Sequence, residues 1–109
     1  MIARKSKFGN VRSGKHASKR ESRRAQALKF MELDGQISEL REQVKYTLIP
    51  TQRDNAGKLI EKECYYRADF VYKANGIQIV EDTKGHRTAD YIIKRKLMLQ
   101  VHGIRILET

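Results

Sequence analysis

The chain has 109 residues, 33% of them charged, and a formal net charge of +10 from 23 Lys and Arg against 13 Asp and Glu. That length gives one small domain with a modest core. No run approaches the ~18 consecutive apolar residues of a membrane span, no apolar leader opens the sequence, and Cys64 stands alone, so neither a membrane protein, a disulfide framework nor a thiolate zinc cluster is expected.

The positive charge is unevenly spread. Nine of the cations fall within the first 24 residues, among them Lys15, Lys19, Arg20, Arg23 and Arg24, against one acid, Glu21. Such a density suits a polyanionic partner, most often a phosphate backbone. Residues 1–17 mix these cations with Ser6, Gly9, Ser13 and Gly14 and lack apolar periodicity, so they read as a flexible basic arm ahead of a domain spanning 18–109.

The first helix begins at Ser18, where Ser18-Lys19-Arg20-Glu21 matches the Ser-x-x-Glu capping box, and ends before Gly35, with Ala25, Ala27, Leu28 and Met31 as its buried side. Residues 43–49 then alternate polar and apolar as a half-buried strand does, and Pro50 ends the run. A polar loop over 53–58 reverses the chain into a second strand reaching about Tyr72. Asn75-Gly76 accepts the positive φ of a tight turn, which folds a third strand, ending at Lys84, antiparallel to the second. A second helix runs from Thr88 to His102, wrapped broadly by Ile92, Ile93, Leu97, Leu99 and Val101, and Gly103 stops it. A last short strand covers 104–107. A helix between two strands makes a parallel crossover, which sets this strand beside the third or near it. The expected class is α/β, in the order α-β-β-β-α-β.

One constellation stands out within that frame. Side chains alternate along a strand, so Asp82 and Lys84 project from the same face, and Asp69, on the preceding strand, can join them. The apolar residues Ile77, Ile79 and Val80 mark this strand as largely buried, where unpaired charges are costly. Two carboxylates beside one ammonium suit Mg²⁺, which needs only one or two carboxylates plus substrate phosphate oxygens. The lysine can orient a water or stabilise charge building on a phosphoryl group. Glu21 shares i, i+4, i+7 spacing with Ala25 and Leu28, which turns a carboxylate toward the apolar side of the first helix, either as a third ligand or as a partner of the Ser18 cap. Glu81 falls on the face opposite Asp82, and a bulge would exchange the two. Gln43, near the start of the first strand, can reach the site or stand as an ordinary exposed strand residue, and the second reading is preferred. His86 and Arg87, in the loop beyond Lys84, and Lys94, on the second helix, join Lys15, Lys19, Arg20, Arg23 and Arg24 as candidate phosphate contacts. No glycine series that cradles phosphates is present, and the three His share no zinc-ligand spacing.

These residues resemble the PD-(D/E)XK nuclease superfamily, and more closely a small phage-encoded group within it, through Ser18-Lys19-Arg20-Glu21, Tyr66-Arg67-Ala68-Asp69-Phe70 and Val80-Glu81-Asp82-Thr83-Lys84-Gly85. The resemblance covers roughly residues 15 to 108. It implies a restriction-endonuclease-like core with a mixed sheet flanked by helices. It also implies Glu21, Asp69 and Asp82 as ligands of Mg²⁺, with Mn²⁺ as a substitute, and Lys84 as the fourth catalytic residue. The proline that names the motif is replaced by Ala68, a position that ligates nothing. By analogy with small basic phage members, the expected activity is hydrolysis of DNA, including branched or Holliday-junction DNA, in recombination or replication within the host cytoplasm. A homodimer would place two such sites on the two strands of a duplex. The alternatives are a non-catalytic nucleic-acid-binding protein on the same fold and an accessory protein that binds another protein.

Overall fold

The structure is a computed structural model, and it describes residues 18–84 and 86–109. The expected basic arm, with Lys15, lies outside the described residues. Helix α1 (Lys19–Leu33) is followed by β1 (Ser38–Ile49), β2 (Gln52–Arg53), β3 (Leu59–Glu61), β4 (Cys64–Ala74), β5 (Ile77–Asp82), α2 (Ala89–His102) and β6 (Leu107–Glu108). The class is α/β. Strands β1, β4, β5 and β6 form one mixed sheet in that order, antiparallel except for the β5–β6 pair.

Local chemistry accounts for the boundaries. The Ser18 hydroxyl accepts from the Glu21 amide at 3.1 Å, and the Thr88 hydroxyl accepts from the Tyr91 amide at 3.1 Å, so each helix starts on a side-chain cap. Asn75 (φ +53°) and Gly76 (φ +76°) make the tight β4–β5 turn. The loop expected at 53–58 holds a small hairpin, β2 paired with β3, whose turn is organised by Asp54: its Oδ1 accepts from the amides of Ala56 and Lys58, each at 2.9 Å. Strand β1 starts five residues before the expected alternation, because Ser38, Arg41 and Glu42 also pair with β4, while Ser38, Glu39 and Arg41 stay exposed. Strand β6 is displaced to Leu107–Glu108. Its ladder with β5 is extended by Thr109 N–H to the Asp82 carbonyl (3.0 Å) and Lys84 N–H to the Thr109 carbonyl (3.1 Å).

Two apolar clusters cover the two sheet faces. One joins Leu48, Tyr66, Ala68, Val71 and Val80 to Tyr91 and Met98 of α2; the other joins Ile37, Phe70 and Tyr72 to Ala25 and Leu28 of α1. Because Val71 and its neighbours Phe70 and Tyr72 point opposite ways, the helices lie on opposite faces. Ala27 is exposed, not buried as its position suggested; on α2, Ile93, Leu99 and Val101 are exposed, whereas Ile92 and Leu97 pack beside the buried Tyr91 and Met98.

Regular alternation would place Ala68 and Phe70 on one face, yet they join different clusters. The change of side falls at Asp69. Across from it, Val44 packs with the α2 cluster and Leu40 with the α1 cluster, and Gln43 between them has a left-handed φ of +54°. Pairing stays in step on either side, Glu42 with Phe70 and Val44 with Ala68, so both strands turn over together.

On the α1 face, fully buried Glu81 receives Arg24 in bidentate fashion (Nε to Oε2, 2.6 Å; Nη2 to Oε1, 2.9 Å), together with the hydroxyls of Tyr72 (2.6 Å) and Thr109 (3.0 Å). Burial alone would raise its pKa, but the Arg24 and Tyr72 hydrogen bonds outweigh it and hold the carboxyl below its ordinary value. The Tyr72 phenol is pushed up to about 12, chiefly by burial. Removing the cation strands a buried anion. Arg24→Met is expected to destabilise the protein by about 3–5 kcal/mol, and the double variant Arg24→Met, Glu81→Leu to recover part of that loss; urea denaturation checks both.

Candidate functional site

On the opposite face, the same stretch of β5 ends in Asp82, which is 2% exposed. Strands β4 and β5 pair Phe70 with Glu81, and continuing that register by one residue sets Asp69 opposite Asp82. Asp69 Oδ2 accepts from the Thr83 amide at 2.9 Å, which ties it to the chain just beyond Asp82. The Tyr66 hydroxyl donates to Asp82 Oδ2 at 2.9 Å, and Lys84 Nζ lies 3.4 Å from the same oxygen and 4.3 Å above the Tyr91 ring centre. The ammonium is therefore held by an anion on one side and an aromatic face on another.

Glu21 comes to the site from α1. Its carboxylate accepts from Gln43 Nε2 at 3.0 Å, and the same amide nitrogen reaches Asp69 Oδ1 at 3.5 Å. An amide carries two hydrogens, so Gln43 can bridge both acids. Gln43 thus reaches the site, against the preferred reading of an exposed strand position, and links the helix to the sheet; its left-handed backbone lies where both strands change face. The Glu21 amide donates to the Ser18 hydroxyl, while its carboxylate accepts from Gln43 beside Asp69.

The electrostatics of the adjacent acids Glu81 and Asp82 diverge. Burial and the neighbouring Asp69 push the Asp82 carboxyl up to about 7, and Lys84 and the Tyr66 hydroxyl offset only part of this. Tyr66 is itself driven upward by burial and by Asp82, so it remains a hydrogen-bond donor.

These groups open onto a cleft of about 370 Å³ lined by Tyr65, Tyr66, Arg67, Asp69, Asp82, Lys84, Thr88, Asp90, Tyr91 and Lys94. Lys94, whose direction the helix pattern left open, lines it. Tyr65 and Arg67 do so too and are not among the expected site residues; the Arg67 guanidinium also approaches the Gln43 carbonyl at 3.5 Å. Lys19, Arg20 and Arg23 are exposed along the first turns of α1, and Arg20 and Arg23 border a separate hollow of about 300 Å³ with Arg24, Thr83 and Thr109. Arg24 is committed to Glu81 and Arg87 to Glu108 (Nε to Oε1, 2.8 Å). His86 is exposed. Among the described residues, no three of His, Cys, Asp and Glu converge as a ready-made metal cluster: Asp69 and Asp82 adjoin, and Glu21 stands beyond the Gln43 amide.

The chain belongs to the family DUF1064, described as protein of unknown function, whose family model matches residues 3–105. No curated protein and no solved structure matches the chain.

The raised Asp82 pKa has a definite sign in stability. The folded state holds this proton more tightly than the unfolded chain, so the contribution is complete below about pH 4, the ordinary range of an aspartic acid, and is lost as pH rises toward 7. Asp82→Asn removes that loss. Melted in EDTA at pH 8, the variant is expected to exceed the wild type by at least about 4 °C, with the gap narrowing by pH 5.

Proposed function

We propose that the protein is a metal-dependent endodeoxyribonuclease with a PD-(D/E)XK, restriction-endonuclease-like core. On this reading it acts in the cytoplasm, on branched or duplex DNA during phage recombination or replication, and a homodimer would serve substrates with two strands to cut. The observation that carries it is the meeting of Asp69, Asp82 and Lys84 in one cleft, with the ammonium 3.4 Å from the Asp82 carboxylate. A salt bridge formed only for stability would not need a second carboxylate beside it.

The donor set fits Mg²⁺ or Mn²⁺: the oxygens are hard, two adjoining carboxylates suffice when substrate phosphate completes the shell, and the mutual repulsion of Asp69 and Asp82 calls for a cation. Asp69 and Asp82 would hold it, with Glu21 as an outer partner through Gln43. When bound, the ion supplies charge neutralisation at the scissile phosphodiester and lowers the pKa of a water. The protein's own groups do the rest. The Thr83 amide and the Tyr66 hydroxyl fix the two carboxylates. Lys84, steadied by Tyr91 and Asp82, orients the attacking water and offsets the charge that grows on the phosphoryl oxygens. Arg67 and Lys94, at the cleft wall, and Lys19, Arg20 and Arg23, along α1, contact flanking phosphates and set the strand's position.

One observation favours a non-catalytic DNA-binding protein instead: the Gln43 amide and the Thr83 amide already occupy oxygens of Glu21 and Asp69. A cleavage panel separates the two readings. Single-stranded, duplex and four-way-junction DNA are incubated with the protein in Mg²⁺, Mn²⁺ or EDTA. Cleavage is expected with either metal only, falling by about 10²-fold or more in Asp82→Ala and Lys84→Met. Intact DNA in every lane, or undiminished cutting by Asp82→Ala, would reject catalysis at this site.

A further inference from the structure

We propose that Tyr65 is a stacking platform for an unpaired base at the mouth of the carboxylate cleft. The preferred substrate is then DNA that is single-stranded or locally unpaired, as at a flap, bulge or branch point. This rests on reading the cleft as a DNA phosphodiester site.

Tyr65 lines the cleft with Asp69, Asp82 and Lys84, yet it belongs to neither apolar cluster and is 38% exposed. Three cations from three elements gather around its ring: Lys45 of β1 at 4.8 Å from the centroid, Arg67 of β4 at 5.6 Å and Lys94 of α2 at 5.7 Å. All lie within the roughly 6 Å reach of a cation–π contact. Lys45 is anchored to Glu63 by an ion pair, so its ammonium has a fixed position beside the ring. A nucleotide offers the complementary pair of features, a flat π-face and an adjacent phosphate. Aromatic rings set in basic grooves take up single strands in this way, and with little sequence preference, because every base has such a face. In an intact duplex those faces are occupied by neighbouring base pairs. The ring therefore discriminates by strand structure, while Arg67 and Lys94 take the phosphates beside the stacked base.

The test is made in EDTA, so that binding is read without hydrolysis, using the full chain and oligonucleotides carrying one 2-aminopurine in a single strand, in a bulge or in a fully paired duplex. The wild type is expected to bind the unpaired probes about ten-fold or more tighter than the duplex, with quenching of the 2-aminopurine. Tyr65→Leu should lose both the preference and the quenching while keeping the wild-type circular dichroism. Tyr65→Phe and Tyr65→Trp, which retain a ring, should keep both. Equal affinity of the wild type for paired and unpaired probes, or an undiminished preference in Tyr65→Leu, overturns the proposal. Stacking without any Mg²⁺-dependent cleavage would remove the hydrolytic reading alone; cleavage without strand preference would remove the platform alone.

Discussion

Glu81 and Asp82 are consecutive, both almost wholly buried, and point to opposite faces of one strand. Ionised groups in such surroundings are costly unless they are paired. On the α1 side the requirement is met in full, by a bidentate guanidinium and two hydroxyls. On the α2 side it is met in part, by one phenol and one ammonium that leave the carboxyl with a raised affinity for protons. The first acid is a structural rivet between helix and sheet. The second is only partly compensated, and that asymmetry distinguishes two neighbouring residues of one strand.

The geometry around Asp82 follows from how the sheet serves two helices. Strands β1 and β4 exchange faces at Gln43 and Asp69, so Leu40, Phe70 and Tyr72 pack with the α1 cluster while Val44, Tyr66 and Ala68 pack with the α2 cluster. At the crossover neither side chain is confined to one side. Asp69 can therefore lie beside Asp82 and still be reached by an amide that also touches Glu21 of the other layer. The polar cluster draws on α1, β1, β4 and the segment just past β5, which brings groups distant in sequence to one place.

Much of this was legible from residue order. The capping box, the Asn-Gly turn and the helix-ending glycine work through contacts of three or four residues, and they place α1, the β4–β5 hairpin and the end of α2. The same short range makes Asp82 and Lys84 neighbours. For Gln43 the pattern favours an exposed position over one reaching the site, because its role depends on a left-handed backbone that nothing in Glu42-Gln43-Val44 signals and on partners 22 and 26 positions away. Tyr65 and Arg67 were hidden for a related reason: a strand pattern shows which residues face out but not what they face. Arg24 and Arg87, counted by charge as phosphate contacts, are engaged by Glu81 and Glu108, contacts 57 and 21 positions away that no local pattern reveals. On α2, apolar residues occur all round the helix, and only packing selects Tyr91 and Met98.

The backbone irregularity on β1 bears on association as well as on the site. Among the described strands, β1 is an outer member of the sheet, and it departs from extended geometry at both Glu39 and Gln43. An incoming chain seeking to add itself there would meet amides and carbonyls aimed away from a regular ladder, flanked by the charges of Arg41 and Lys45. Unsatisfied rims of this kind invite fibrous self-assembly unless they are bent or charged. The same distortion that lets an amide span two layers thus also guards a strongly cationic protein against polymerising through its border.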